Sequence, residues 1–120
     1  MRLNPDCIRD ILLFVEENID SMKSCVLFDE LVNSLDKYDR NTLHYHVNQI
    51  SKHDFVDDVF YAGNEPQFIS DLSPKGHAFL ANIRSNTTWN KTKEIASKVG
   101  SFSLEALVQI AATVISNSIA

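Results

Sequence analysis

The sequence has little glycine, proline or cysteine, and these shortages exclude several classes of protein. Three glycines and three prolines in 120 residues leave no room for a long flexible linker or a low-complexity tract. The two cysteines, Cys7 and Cys25, are too few for a disulfide framework. The 44% hydrophobic content is that of a globular chain, and at this length one domain is the simplest interpretation.

The sequence also contains no motif of the catalytic classes that short patterns identify. A glycine-rich phosphate loop, a nucleophile elbow and HExxH are absent, and so are the HxxxH and CxxC spacings of metal sites. His44 and His46 stand two residues apart, which separates them by about 200° around a helix. We therefore predict no enzyme, no metal site and no cofactor. The N-terminal MRLNPDCIRD has charge and proline where a signal peptide would be apolar, so we expect a cytoplasmic protein with reduced thiols.

Basic residues are scarce, and their distribution is uneven. The net charge of −5 opposes DNA binding, because affinity for a duplex depends on neutralising its phosphates. Residues 54–73 carry five acidic residues and no Lys or Arg, whereas residues 40–53 carry Arg40, Lys52 and no acid. Residues 74–120 carry five basic and two acidic residues. Four of the basic residues are candidates for a phosphate-facing patch, with a solvated basic helix as the alternative: Arg84, Lys91, Lys93 and Lys98.

Periodicity and capping residues predict helices, a hairpin and more helices. Asn4-Pro5 and Ser73-Pro74 are helix starts, and Asp39 is a predicted N-cap. Residues 56–61 and 67–72 flank the turn AGNEP and predict a β-hairpin. Three helices, a hairpin and a fourth helix follow the order of a winged helix-turn-helix. The predicted fold is mainly α with a small β-hairpin (α+β): a winged helix-turn-helix over 1–85 and a C-terminal helical extension over 86–120, in one compact unit.

The extension begins at an N-cap predicted as Thr87 or Thr88, and its last helix, from about residue 103, is apolar nearly all round. That helix, LEALVQIAATVISNSI, is shorter than the ~20 apolar residues of a bilayer span, so we predict no membrane association. Packing between two copies and packing onto the chain itself are the two alternatives, and we favour a homodimer. The predicted dimerisation residues are Leu104, Leu107, Val108, Ala111, Val114 and Ile115.

The stretch DLSPKGHAFLANIRSNTTWNKTKE resembles the LTxxGHxFLxxIRxxTxWNKTK signature of an uncharacterised family of small phage, prophage and bacterial proteins. The N-terminal NPDCIRDILLFVEEN and the YHV that begins at Tyr45 fit the same family. That family is a domain of unknown function, so the resemblance implies membership and no activity. The core also resembles bacterial winged-helix regulators, which have a glycine where this chain has Asp54, a residue type that tolerates the left-handed conformation.

The third predicted helix has a polar face without acid, and its composition suits a DNA groove. Asn and Gln pair bidentately with adenine, and Lys reaches guanine or a phosphate. The predicted DNA-binding residues are Arg40, Asn41, Thr42, His44, Tyr45, Asn48, Gln49 and Lys52. The alternative is an ordinary solvated helix face, and an acidic hairpin beside the helix would repel a duplex.

Two functions therefore stay open at this point. The first is a dimeric winged-helix protein that binds double-stranded DNA as a transcriptional regulator or accessory factor. The second is a protein-interaction module of the same shape, which binds a host or phage nucleic-acid enzyme through its acidic N-terminal helix and hairpin. Its partner would present a basic surface.

Overall fold

The computed structural model describes residues 1–119; Ala120, the last residue of the predicted extension, lies outside them. It is mainly α with a small antiparallel sheet, as predicted. The helices are α1 (Pro5–Asn18), α2 (Phe28–Ser34), α3 (Arg40–Lys52), α4 (Pro74–Ile83), α5 (Asn86–Val99) and α6 (Leu104–Ile119). The strands are β1 (Cys25–Leu27), β2 (Val59–Ala62) and β3 (Glu65–Ser70).

Capping side chains begin the helices at the predicted places, with one exception. Asn4, Asp39 and Ser73 each accept a backbone N–H of the first turn, which satisfies donors that have no partner within the helix. The exception is α5, where Ser85 caps the helix. The prediction of Thr87 or Thr88 was wrong, because Ser85, two residues before Thr87, also has a hydroxyl group that can cap a helix. The hydrophobic periodicity of this segment does not show at which residue the helix begins.

The sheet is larger than the predicted hairpin. Its order is β1-β3-β2 and all pairs are antiparallel, because the short extended segment before α2 adds to the hairpin as a third strand. Ile69 pairs with Val26 on one side and Val59 on the other, and all three side chains are buried. This inner face therefore packs on the helices. Val56 and Leu72 form only an isolated bridge, so β2 begins three residues later than predicted, whereas β3 keeps the predicted six residues but lies two positions earlier.

One continuous core joins the two predicted units. It runs from Cys7 and the apolar stripe of α1 to Leu107 and Ala111 of α6. Helix α6 packs on α5 and α4, so the extension covers apolar surface of the helices that precede it. Both cysteines are free thiols: Cys7 is buried and Cys25 half-buried.

The start of α4 lies against the turn that follows α3. Asp54 adopts the left-handed conformation with φ 59°. The carbonyl of Phe55 then accepts the N–H of Ser73, and a Cβ on Gly76 would stand 1.9 Å from that carbonyl oxygen. Gly76 is therefore needed for the close approach of the α4 backbone to the end of α3.

Polar side chains of α1 hold the junction between α4 and α5. Arg9 donates to the carbonyl oxygens of Ile83 (2.9 Å) and Arg84 (2.6 Å) at the end of α4. Asp6 accepts the indole N–H of buried Trp89 at 2.8 Å and pairs with Lys93 at 2.9 Å. Trp89 is thus a core residue whose indole N–H has the partner that a buried tryptophan requires.

Candidate functional site

Helix α3 has the buried stripe expected from its periodicity, with one addition. Leu43, Val47 and Ile50 are fully buried, and so is His46. The imidazole Nε2 accepts the backbone N–H of Asn4 at 2.8 Å, and Nδ1 lies 2.7 Å from the carbonyl oxygen of Thr42. Because Nε2 accepts, Nδ1 carries the proton and donates, so the ring is neutral. His46 thus joins the start of α1 to α3.

The predicted DNA-binding residues share the side of α3 away from the core, but their exposure differs. Arg40, Asn41 and Lys52 are exposed, whereas the others are half-buried. Together with Met1, four of them line one open depression: Asn41, His44, Tyr45 and Asn48. Lys52 takes part in no ion pair within residues 1–119. The helix therefore presents mainly amide and aromatic groups, with one available cation at its C-terminal end.

Arg40, the other cation of this face, is paired with two carboxylates. Its Nε donates to Glu65 at 3.0 Å, and its Nη2 donates to Glu65 at 2.5 Å and to Asp29 at 2.9 Å. The guanidinium also lies over the ring of Phe28, 5.0 Å from the centroid. These hydrogen bonds lower the pKa of Glu65 and raise that of Arg40. The sequence did not reveal this pairing, because the partners stand 11 and 25 residues away.

The N-terminal end of α3 is also occupied by its own cap. Asp39 accepts the N–H of Thr42 at 2.8 Å, and this bond lowers the pKa of the Asp39 carboxyl group. Arg40 and Thr42 were expected to hold phosphates beside the positive end of the helix dipole. In the structure a carboxylate already accepts the Thr42 N–H, and two more surround Arg40. A phosphate at this position would have to displace them.

The hairpin touches α3 through a second polar contact. The hydroxyl of Tyr61, on β2, donates to Oδ1 of Asn48 at 2.6 Å. Recognition of adenine by Asn requires the same oxygen to accept a hydrogen bond from the base. Asn48 is therefore partly engaged within the chain, and the hairpin lies beside the polar side of α3.

The basic residues of the C-terminal third are mostly neutralised inside the chain. Arg84 pairs with Glu16, Lys93 with Asp6 and Lys98 with Glu94. Lys91 takes part in no ion pair within the described part of the chain. A continuous phosphate-facing patch is therefore not formed by these residues. His77 is exposed, and its Nε2 lies 4.0 Å from Oδ1 of Asp71.

Most of the predicted dimerisation residues are used within the chain. Leu104, Leu107, Ala111 and Val114 are buried against the rest of the same chain, whereas Val108 and Ile115 are half-buried. The intrachain alternative accounts for the first four, because a side chain already covered by α4 and α5 has little surface left for a second copy. The dimer stays a prediction that depends on the other two.

Neither a metal cluster nor a membrane span is present in the described part of the chain. No three His, Cys, Asp or Glu side chains of residues 1–119 converge on one point. None of the helices in this range has the length and apolar content that crossing a bilayer requires.

The comparisons with known proteins establish the family. A family model described as "Hypothetical protein (DUF2513)" matches residues 2–103, which is most of the chain. The chain belongs to the DUF2513 family. An uncharacterized protein of Haemophilus influenzae is 33% identical over 123 aligned residues, and the alignment covers all of both chains. No solved structure matches.

The DUF2513 match includes every element that builds the face around α3. It extends from the residues before α1 to the segment after α5 and stops one residue before α6. The Haemophilus relative also spans α6. The expected membership of a family of unknown function is therefore confirmed, and the family description assigns no activity to the α3 face.

Proposed function

We propose that this DUF2513 protein is a protein-interaction module built on a winged helix-turn-helix, with a partner that presents a basic surface. The order α1, β1, α2, α3, β2, β3 and the antiparallel sheet β1-β3-β2 support the winged-helix assignment. In that architecture α3 is the helix that enters the major groove, and β2 with β3 is the wing. The question is whether these elements suit DNA or protein.

The pairing of Arg40 is the observation that favours protein over DNA. A wing that grips phosphates normally supplies Lys or Arg, whereas this wing supplies Glu65, which binds the cation at the start of α3. Arg40, Glu65 and Asp29 together carry one net negative charge. A duplex approaching α3 would meet this charge and that of Asp39, so phosphate neutralisation would contribute little to affinity.

Two acids at the start of the hairpin are available to a basic partner. Asp57 and Asp58 are exposed and take part in no ion pair within residues 1–119. The acids of α1 contribute less than expected, because Asp6, Asp10 and Glu16 pair with Lys93, Lys37 and Arg84. The proposed binding surface is therefore the sheet side of the molecule.

DNA binding through α3 is the second candidate, because one observation favours it. No acid stands between Arg40 and His53, while Asn41 is exposed and Lys52 is unpaired within the described residues. In this case Asn41, Tyr45, Asn48 and Lys52 would face base edges or phosphates.

Fluorescence anisotropy with random-sequence duplexes, at low and near-physiological salt, tests one candidate against the other. We expect no salt-dependent binding by the wild-type chain even at low salt. A double variant, Glu65→Gln with Asp29→Asn, releases Arg40 and should bind duplexes more tightly than the wild type. Tight wild-type binding that falls steeply with salt and is lost in Lys52→Glu would overturn the proposal in favour of DNA.

Selection of short random peptides on the immobilised chain provides the positive test. We expect the enriched peptides to be rich in Lys and Arg and to lose affinity when Asp57 and Asp58 are both changed to Lys. Glu17→Lys is the matched control, because Glu17 is also exposed and unpaired within residues 1–119 but lies on α1. Enrichment of acidic peptides, or of none, would contradict a basic partner.

A further inference from the structure

Three exposed apolar side chains form a row across the outer face of the sheet. The strand register sets Leu27 beside Phe68 and Phe68 beside Phe60, one residue from each strand. Leu27 is 42%, Phe68 41% and Phe60 59% exposed. The centroids of the two phenyl rings are 5.9 Å apart. We call these three residues the outer row. Isolated exposed apolar residues are common, but a contiguous patch of them is typical of an interaction surface.

The outer row is not needed to build the core. Side chains alternate along a strand, and the inner positions Val26, Ile69 and Val59 already supply the buried face of the sheet. Cross-strand contact between Phe60 and Phe68 stabilises the hairpin by roughly 0.2–1 kcal/mol. Threonine or valine would pair across the strands without exposing aromatic rings to water, so pairing alone does not explain this choice of residues.

The surroundings of the outer row are acidic. Asp58 stands two residues before Phe60 and therefore on the same face. Glu30 accepts the N–H of Leu27 at 3.4 Å, and Glu65 begins β3. The cations near these groups are in ion pairs: Lys23 with Glu30, and Arg40 with Glu65 and Asp29. Because four acids, Asp29, Glu30, Asp58 and Glu65, stand against two cations, the rim of the outer row keeps a net negative charge.

The negative charge around the outer row determines which kind of molecule can bind there. A second copy would bring an equally acidic rim, while an anionic lipid surface or a nucleic acid would bring phosphates, and all three are repelled. A protein segment with Lys and Arg around an apolar strip is attracted, and its apolar side chains bury those of the outer row.

We propose that the outer row is the docking site for a basic amphipathic helix of a partner protein. Three strands about 4.8 Å apart make a row that spans about 10 Å. Helix positions i and i+7 are about 10.5 Å apart on one face, so apolar residues at i, i+3 or i+4, and i+7 match the row. This inference rests on the proposed function, and it adds the site and the form of the partner.

The peptides selected on the wild-type chain provide the test. We expect Phe60→Ser and Phe68→Thr each to weaken the binding of these peptides about tenfold or more, since a buried aromatic anchor carries much of an interface's affinity. Val99→Ser is the matched control, because Val99 is 65% exposed at the end of α5. Chemical shifts of backbone amides should change at β1, β2 and β3 when the peptide is added.

The outcomes separate the docking site from the proposed function. Unchanged affinity in both phenylalanine variants, with affinity lost in the Asp57 and Asp58 reversal, would overturn the outer row and leave the basic partner standing. No loss in any variant overturns both. Circular dichroism checks folding, and Leu27→Ser, outside the hairpin, replaces any variant that unfolds. Self-association of the wild type that Phe68→Thr removes would instead assign the row to a second copy and contradict the inference.

Discussion

Helix α1 and the segment before β2 both carry carboxylates, but the chain uses them differently. Asp6 of α1 binds Trp89 and Lys93 of α5, and Glu16 of α1 binds Arg84 in the junction before α5. Asp57 and Asp58 take part in no ion pair within residues 1–119, and the hydrogen bond that the Asp58 carboxylate accepts comes from the backbone N–H of its neighbour Val59 at 2.9 Å. The first group connects helices, whereas the second is exposed to whatever approaches the sheet.

The difference teaches that a count of acids does not locate an interaction surface. Helix α1 contains four acids, yet three of them, Asp6, Asp10 and Glu16, are already in ion pairs. A carboxylate that already accepts hydrogen bonds gains little from a basic partner, because binding must first break those bonds. Changes on the α1 side should therefore alter stability, and changes on the sheet side should alter binding.

The largest loss of stability should come from Gly76→Ala in α4, the helix whose C-terminal end Arg9 of α1 holds. A Cβ at this position meets the backbone carbonyl of Phe55, so the start of α4 must move, and with it the carbonyls of Ile83 and Arg84 that hold Arg9. We expect urea denaturation to show a loss of about 3 kcal/mol in the free energy of unfolding. Ala81→Ser, at an exposed position of the same helix, is the control; a loss as large in that variant would contradict the steric cause.

Two single substitutions compare the contribution of the two groups of acids to the free energy of unfolding. Asp6→Ala removes the acceptor of the buried Trp89 indole N–H, and we expect it to lower the free energy of unfolding by about 1–2 kcal/mol. Asp58→Ala should change it by no more than about 0.5 kcal/mol. Thermal and urea unfolding of the two variants measures this contrast. Equal losses would show that the comparison between the two regions is wrong.

The pH dependence of stability should report the contact between α1 and α3. Burial lowers the pKa of His46, although the hydrogen bond to Thr42 acts in the opposite direction. The unfolded chain therefore binds a proton at about pH 6.5 that the folded chain does not yet bind. Stability should fall as the pH decreases through about 6.5, in a window above the carboxylate titrations. Urea midpoints from pH 7.5 to 5 should lose this slope in His46→Gln and keep it in His77→Gln.

The smallest effect is expected from substitutions in α6. We expect the packing of α6 on its own chain to cover its apolar side chains without a second copy. Sedimentation velocity should find a monomer across micromolar concentrations, and Val108→Glu should change neither mass nor unfolding temperature by much, since Val108 is only half-buried. A dimer that Val108→Glu or Ile115→Glu dissociates would restore the dimerisation predicted from the sequence.

The local structure followed closely from short-range patterns. Asn4-Pro5 and Ser73-Pro74 begin α1 and α4, Asp39 caps α3, and Gly100 ends α5 in the left-handed conformation with φ 74°. Each signal lies within a few residues of the structure that it sets, because caps and helical stripes depend on neighbours in sequence. Alternation along β3 could also have indicated that Phe68 lies outside. The sequence predicts a short extended segment around residues 24–26, but not that it pairs with β3 and completes the row.

What the sequence by itself determined is the element order, the buried stripes and the membership of a family, since these depend on the type and spacing of residues near one another. Only the tertiary structure decided which charges remain available. Arg40 and the acids of α1 lie on faces that look solvated in sequence, and their partners come from elements far along the chain. An ion pair depends on distances of a few ångströms between such elements, and those distances are set by how the helices and the sheet pack.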